Sequence, residues 1–339
     1  MLKKLLRFCI SRCGLLHIPC AFCREMIRGY RVYKRIKRRT GGAKLFLQYY
    51  PGTGDVYLSA AYLRYCEERE NAAGNSVFVV NGANAAGVAA LTGPERIPVV
   101  ALPGDKAYSL VQLTRFIGTD AVDIKYLHYM SDWPMYTSFL ITLAGLHGLG
   151  FMELYREIAF DGERFELPAP RWSMGRESYP PASGRERRAL LAPAANSIAQ
   201  GPDSLFWREL ARRLKQSGYR VYTNVSGDER PIAGTEPAFI PYKELALFLD
   251  ERAVFIGYRS GLCDLAASLK CRKIILYPKS GWPVINGLRI ASTLEIFSLS
   301  KMGLCEDAVE LEYSEQNELQ ILSEILENTA NGRGKRINI

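Results

Sequence analysis

From residue 44 onward, the sequence alternates between short apolar runs and helix-length stretches, and this alternation restricts the folds open to the chain. The first half contains four apolar runs, which read KLFLQYY, VFVVNG, IPVVALP and AVDIKYLHYM. Strands that alternate with helices of about 10–15 residues form parallel βαβ units. The sequence therefore predicts an α/β fold built on parallel sheets.

Residues 165–188 interrupt this alternation with four prolines among charged and small residues, a composition typical of a linker. The alternation then restarts with RALLAPA, YRVYTNV, AVFIGYRS and RKIILYP, and it ends in the amphipathic stretch EQNELQILSEILENTAN. We therefore predict two Rossmann-like domains, residues 44–164 and residues 189–330, the second including a C-terminal helix. A length of 339 residues suits two domains of about 150 residues each.

The formal net charge of +9 is concentrated at the N-terminus. Residues 1–40 hold twelve Lys or Arg and one acid, which leaves the rest of the chain with a net charge of −2. Because a body that tracks nucleic acid would carry cations across its surface, we expect no nucleic-acid partner. Residues 1–43 are predicted to form a basic amphipathic segment, and residues 1–40 of it are predicted to bind an anionic membrane surface. A solvated tail, a helix packed on the body, and RNA binding through KRIKRR are the alternatives.

Half of the eight cysteines lie in the N-terminal segment with the spacing C-x3-C-x6-C-x2-C, namely Cys9, Cys13, Cys20 and Cys23. Cysteines at this spacing could bind a zinc ion, could form a lipidated cluster, or could simply lie along an amphipathic helix. The others are predicted to be buried core residues, namely Cys66, Cys263, Cys271 and Cys305. No stretch approaches the run of about 20 apolar residues that a membrane span needs. Arg12 interrupts the apolar core that a signal peptide would need, so we expect a cytoplasmic protein with reduced thiols.

Ligands of parallel α/β sheets bind at the carboxyl ends of the strands, so the strand-to-helix turns are the candidate sites. The first such turn is Pro51-Gly52-Thr53-Gly54-Asp55, directly after the first predicted strand. Its glycines allow the backbone to approach a ligand closely. Asp55 is a candidate general base that takes a proton from an attacking hydroxyl. The alternative is that Asp55 only caps the following helix.

The second candidate turn runs from Gly257 to Leu265, between a predicted strand and a helix. The N-terminus of a helix at Ser260 and Gly261 presents free N–H groups to an anion. Arg259 could grip a diphosphate in a bidentate manner, and Asp264 could hold a sugar hydroxyl. The alternative is a capped helix with an internal ion pair between Arg259 and Asp264.

A third turn places Asn196 and Ser197 after the first strand of the second half, where they could bind phosphate or base, or form an Asx turn. His17, His128 and His147 are not clustered in the sequence, so no histidine-based metal site is predicted. The sequence contains neither a P-loop, nor a complete GxGxxG fingerprint, nor a GxSxG elbow. Kinases, dehydrogenases and α/β-hydrolases are therefore disfavoured.

Four features of the sequence carry a resemblance, namely the early GTGD turn, the linker, the segment APAANS…FWRELARRL and the segment FIGYRSGLCDLAASLKCRKIILYP. Together they resemble the GT-B glycosyltransferases, in particular the heptosyltransferase-like family of bacterial lipopolysaccharide synthesis. This resemblance implies two Rossmann-like domains whose parallel sheets face a central cleft. It implies that Asp55 is the catalytic base, next to the acceptor loop of Gly52, Thr53 and Gly54. The residues that it implies for donor binding are Asn196, Ser197, Ser260, Gly261 and Leu262.

Two positions depart from the family pattern. The chain reads SGLCD where the family usually reads SGxxH, so Asp264 replaces the histidine. The lysine that the family usually has in the loop near Asn196 is missing from this chain, and we expect Arg259 to supply the positive charge instead. The donor is therefore not assigned as ADP-heptose.

We expect a metal-independent glycosyltransferase that needs no cofactor and moves a sugar from a nucleotide-sugar donor to a hydroxyl group. The expected acceptor is a bacterial surface glycan, free or lipid-linked, such as lipopolysaccharide, O-antigen or capsule. The expected location is the cytoplasm, including the inner face of the plasma membrane. The alternatives are a non-catalytic nucleotide-binding or assembly protein of the same fold and a nucleotide-sugar epimerase.

Overall fold

The computed structural model describes residues 17–70, 75–128, 147–172, 186–195, 202–226, 229–279, 282–285 and 288–330. The chain divides into two compact units, Met1–Asp132 and Trp133–Ile339. The helix at Phe151–Ala159 belongs to the second unit, whereas the predicted first domain, residues 44–164, includes it. There the ring of Phe151 packs against that of Phe297, with 4.8 Å between the ring centroids. Part of the predicted linker lies outside the described residues, and its boundaries stay a prediction.

The first unit is a four-stranded parallel sheet with helices between its strands. Its elements are α1 (His17–Arg39), β1 (Lys44–Gln48), α2 (Thr53–Glu70), β2 (Ser76–Asn81), α3 (Ala83–Thr92), β3 (Val99–Leu102), α4 (Gly104–Ile117) and β4 (Ile124–Tyr126). The strand order is β3-β2-β1-β4. The central strands are continuous apolar runs because helices cover both faces of a parallel sheet, and Val77 to Val80 are fully buried.

Helix α1 packs against α4 of the same unit. Val32 and Ile36 of α1 are buried in the core formed with β1 and α4. A Cβ atom on Gly29 would lie 2.1 Å from the backbone oxygen of Ser109, so only glycine permits this close approach of the two helices. The Ser109 hydroxyl also donates a hydrogen bond of 2.6 Å to Glu25. For residues 17–39, the structure therefore corresponds to the alternative of a helix packed on the body.

The second unit is a six-stranded parallel sheet with an additional antiparallel hairpin. Its elements are α5 (Phe151–Ala159), β5 (Arg187–Ala192), α6 (Ser204–Gln216), β6 (Tyr219–Asn224), β7 (Glu236–Ala238), α7 (Leu245–Phe248), β8 (Val254–Tyr258), α8 (Gly261–Ala266), β9 (Arg272–Pro278), β10 (Trp282–Ile285), β11 (Leu288–Ala291), α9 (Thr293–Phe297), β12 (Val309–Tyr313) and α10 (Glu318–Ala330). The sheet order is β12-β9-β8-β5-β6-β7.

The predicted α/β class with two parallel sheets is confirmed. Helix α2 begins at Thr53 rather than after Asp55, so the predicted turn contributes its last three residues to the first helical turn. Strand β7, strand β12 and the hairpin of β10 and β11 are absent from the prediction. Among the described residues, no helix is both long and apolar enough to cross a membrane.

Candidate active site

Asp55 lies in the first turn of α2, at the carboxyl edge of the first sheet. Strand β1 ends at Gln48, and the chain turns through Pro51 and Gly52 before the helix starts. The turn is closed by the Val56 N–H, which donates a hydrogen bond of 2.9 Å to the Gly52 carbonyl. The Asp55 side chain is 16% exposed. Its carboxylate is therefore held by the protein but remains partly accessible to solvent.

Gly52 determines where the Asp55 carboxylate can lie. A Cβ atom built on Gly52 would come within 2.2 Å of Oδ2 of Asp55, which is far inside van der Waals contact. Any larger residue at position 52 would therefore displace the carboxylate. The sequence predicts that this glycine allows close approach of a ligand, and in the structure it also makes room for Asp55.

His128 faces Asp55 and was not predicted as a site residue. Its Nε2 atom lies 3.4 Å from Oδ1 of Asp55, and its side chain is 5% exposed. The imidazole ring stacks on the ring of Tyr50, with 5.1 Å between the centroids and 20° between the planes. Strand order explains this contact, because β4 pairs in parallel with β1 and places the residues that follow both strands at one edge.

In the second unit, the sheet brings two of the predicted turns together. Strands β5 and β8 are neighbours, with Ala192 opposite Gly257, so the turns that follow them share one edge of the sheet. Ser260, Gly261 and Leu262 are partly exposed there. Asn196 and Ser197 lie outside the described residues, and their predicted role is not tested.

Arg259 and Asp264 form an internal ion pair. Nη2 of Arg259 lies 2.8 Å from Oδ1 of Asp264, and the two side chains are 5% and 3% exposed. Arg259 also donates hydrogen bonds to the carbonyls of Phe297, at 2.9 Å, and Ser260, at 2.6 Å. Burial is the largest single influence and opposes the charge of the guanidinium, but the nearby groups together, the carboxylate of Asp264 first among them, raise the pKa of Arg259. This geometry corresponds to the alternative of an internal ion pair in a capped helix.

Burial also changes the pKa of a thiol in the second unit. It raises the pKa of Cys263, directly after the Ser260 turn, although the guanidinium of Arg259 opposes this rise. Within the described residues, no group of His, Cys, Asp and Glu side chains could hold a metal ion. Cys23 is free and exposed, whereas Cys9, Cys13 and the side chain of Cys20 lie outside the described residues.

Comparison with solved structures identifies the fold. No protein-family model matches the sequence, and the search of curated proteins gives no significant match. ADP-heptose LPS heptosyltransferase II from E. coli aligns with 85% of this chain and 99% of its own chain, at 14% identity and a TM-score of 0.54. The chain has the GT-B fold. A family 9 glycosyltransferase from Veillonella parvula aligns with 85% of this chain and 97% of its own, at 12% identity and a TM-score of 0.50.

The GT-B fold agrees with the fold implied by the sequence resemblance, since both units are Rossmann-like parallel sheets. Within this GT-B chain, the first unit presents Asp55 at its carboxyl edge and the second presents the Ser260 turn at its own. At these identities the likeness establishes the fold alone, and the chemistry is argued from the residues themselves.

Proposed function

We propose that this chain is a glycosyltransferase that moves a sugar from a nucleotide-sugar donor to a hydroxyl group of a glycan acceptor. The observation that carries the proposal is the position of Asp55. Its carboxylate is partly accessible, held between Gly52 and His128, and located at the sheet edge where α/β folds bind ligands. A helix cap alone does not require the buried histidine that faces this carboxylate.

Asp55 would act as general base on the acceptor. Its carboxylate takes the proton of the acceptor hydroxyl while the hydroxyl oxygen bonds to the anomeric carbon of the donor sugar. The bond between that carbon and the diphosphate oxygen breaks, and its electron pair leaves with the nucleoside diphosphate. A positioned general base contributes roughly 10²–10⁴-fold to the rate of such a reaction.

The donor would bind to the second unit through Ser260, Gly261 and Leu262, together with Asn196 and Ser197. The developing charge on the leaving diphosphate is stabilised by backbone N–H groups at the start of α8. Arg259 and Asp264 contribute by holding this turn through their internal ion pair rather than by gripping the diphosphate directly. Because the structural neighbour from E. coli is named for ADP-heptose, this donor is the first to test.

Transfer would proceed without a metal ion and without a cofactor. The proposed proton acceptor is a carboxylate, and the proposed anion site consists of backbone and hydroxyl groups, so neither step calls on a cation. We propose that the thiols outside the described part of the chain, those of Cys9, Cys13 and Cys20, also hold no metal that the reaction needs. Activity that persists in the presence of a strong chelator would support it, and activity lost with the chelator and restored by one metal would contradict it.

The acceptor would be a bacterial surface glycan, such as lipopolysaccharide, O-antigen or capsule, on the inner face of the plasma membrane. The outward face of α1 supports this location, because Arg31, Lys34, Arg35 and Arg38 are exposed there. Within the described part of the chain, none of these four side chains forms an ion pair. Each cation near an anionic leaflet contributes on the order of 1 kcal/mol.

The proposal is tested by a thermal-shift screen against UDP, GDP, ADP, CMP and their common sugars. We expect one nucleotide class to stabilise the protein, since a ligand that binds only the folded state raises its stability. The stabilising donor is then incubated with glycan acceptors, and release of the nucleoside diphosphate should depend on the acceptor. Conversion of the donor without acceptor would indicate an epimerase, and binding without any turnover would indicate an assembly protein.

A further inference from the structure

The contact between Asp55 and His128 is held from several sides. The hydroxyl of Ser59 lies 2.9 Å from the carbonyl of Asp55 and 2.6 Å from the carbonyl of Leu127, which precedes His128. The Leu127 N–H donates a hydrogen bond of 3.0 Å to Leu47 at the end of β1. The backbone on both sides of the contact is therefore fixed by hydrogen bonds that do not involve the two side chains themselves.

The imidazole of His128 is restrained as well. Tyr50 covers one face of the ring, and the remainder is buried. The separation of 3.4 Å between Nε2 and Oδ1 is slightly longer than a hydrogen bond, as is common for catalytic pairs before substrate is bound. Stacking and burial restrain the ring with its Nε2 atom next to one oxygen of the carboxylate.

We propose that His128 is a positioning residue for Asp55, an inference that rests on the proposed transferase function. Nε2–H donates to Oδ1 and fixes the plane of the carboxylate toward the acceptor. In nucleophilic catalysis, the side chain that acts as general base is often oriented by a further side chain. This orientation lets a weak base act at one defined atom. Here the carboxylate is the base, and the imidazole orients it.

In the transfer step, the proton of the acceptor hydroxyl moves to Asp55 as the new bond to the anomeric carbon forms and the bond to the diphosphate breaks. His128 keeps its proton throughout and makes no bond to substrate. Its effect is therefore confined to the turnover of bound substrates. Donor affinity depends on the second unit and should not change.

Two substitutions separate the functions of the imidazole. His128→Phe keeps a ring that stacks on Tyr50 but has no N–H, whereas His128→Gln loses the ring but keeps an amide N–H near the position of Nε2. We expect His128→Phe to lower kcat about 10²-fold, the loss expected when a reacting group is misplaced. The KM for donor should stay unchanged, and His128→Gln should recover most of the lost kcat. His147→Phe, on an exposed histidine, is the matched control and should leave kcat unchanged.

The decisive experiment combines His128→Phe with Asp55→Asn in a double-mutant cycle of kcat. If His128 acts through Asp55, adding His128→Phe to Asp55→Asn should cost almost nothing further. Equal losses in both backgrounds, or an unchanged kcat in His128→Phe alone, would overturn the inference. A purely structural role would lower the melting temperature of His128→Phe and His128→Gln alike, without rescue of kcat by glutamine.

The same cycle distinguishes the two proposals. If Asp55→Asn retains wild-type turnover, or if wild-type protein transfers sugar from none of the donors, the proposed function fails and the inference about His128 fails with it. If Asp55→Asn loses turnover while His128→Phe does not, the proposed function stands and only the inference fails.

Discussion

A Cβ atom on Gly52 would lie 2.2 Å from Oδ2 of Asp55, so the position of the carboxylate depends on the absence of a side chain three residues earlier. The atom that would have to move is the end of a short polar side chain, not backbone. Substitution of Gly52 should therefore displace the carboxylate while the surrounding fold stays intact. This relationship makes the geometry of Asp55 testable without changing Asp55.

We predict that Gly52→Ala lowers kcat about 10²-fold, because a reacting group displaced by about 1 Å loses a factor of that order. The melting temperature should change little. Gly87→Ala in α3 is the matched control, since a Cβ atom there meets nothing within 4 Å and a helix gains up to about 1 kcal/mol from alanine. Unchanged kcat in Gly52→Ala would show that the carboxylate position does not matter for turnover.

The ion pair of Arg259 and Asp264 gives a prediction about stability. Asp264→Ala should lower the free energy of unfolding by about 3–5 kcal/mol, because it leaves the guanidinium buried without its partner. The double variant Arg259→Met/Asp264→Leu should recover much of this loss, since apolar residues of similar volume often replace a buried pair well. Urea denaturation of the three proteins measures the effect. A double variant as unstable as Asp264→Ala would argue against an internal pair.

A further prediction concerns membrane binding by α1. Replacing four exposed cations of its outward face with glutamine should release the protein from anionic vesicles, because each cation contributes on the order of 1 kcal/mol. The substituted residues are Arg31, Lys34, Arg35 and Arg38. Cosedimentation with vesicles of anionic and of neutral lipid provides the measurement.

The control for this experiment replaces the same number of exposed cations in the second unit. These residues are Arg230, Lys270, Lys279 and Lys301. Both variants lose the same charge, so a specific role of α1 predicts that only the first loses binding to anionic vesicles. Equal loss in both variants would indicate a general charge effect, and no binding by the wild type would exclude the membrane location.

Thiol labelling tests the packing of β9 and the segment before β12. Burial raises the pKa of Cys271 to about 12 and that of Cys305 to about 11, the latter with help from a hydrogen bond to Asp307. Since only the thiolate reacts, labelling of Cys305 should rise with pH up to about 11, and Cys271 should resist throughout the native range. Exposed Cys23 should react first. Mass spectrometry after timed alkylation identifies each site, and early labelling of Cys271 would contradict this packing.

Much of the fold follows from local patterns. The run RKIILYP was predicted as a strand with the bounds that β9 has, because parallel strands buried on both faces are uniformly apolar. Strand β12 lies at the edge of the sheet and was not predicted, although VELEY alternates apolar and charged residues as a half-buried strand does. Edge strands were predicted unevenly, since β3 and β4 at the edges of the first sheet were predicted whereas β7 and β12 at the edges of the second were not.

The candidate site was predictable only in part. Asp55 could be proposed because the turn, the strand before it and the helix after it are adjacent in the sequence. His128 could not, since its meeting with Asp55 depends on β4 pairing with β1 rather than following β3. The partnership of Arg259 with Asp264 could only be offered as an alternative, because the side-chain contact depends on burial of the turn against Phe297.

The most direct test of this account compares sugar transfer by the wild type and by Asp55→Asn, using a radiolabelled nucleotide-sugar donor at saturating concentration. Asparagine keeps the size and the shape of the side chain but cannot take a proton. We predict that turnover falls by roughly 10²–10⁴-fold while donor binding, measured by calorimetry, is unchanged. Wild-type turnover in Asp55→Asn would contradict the central claim that this carboxylate is the base.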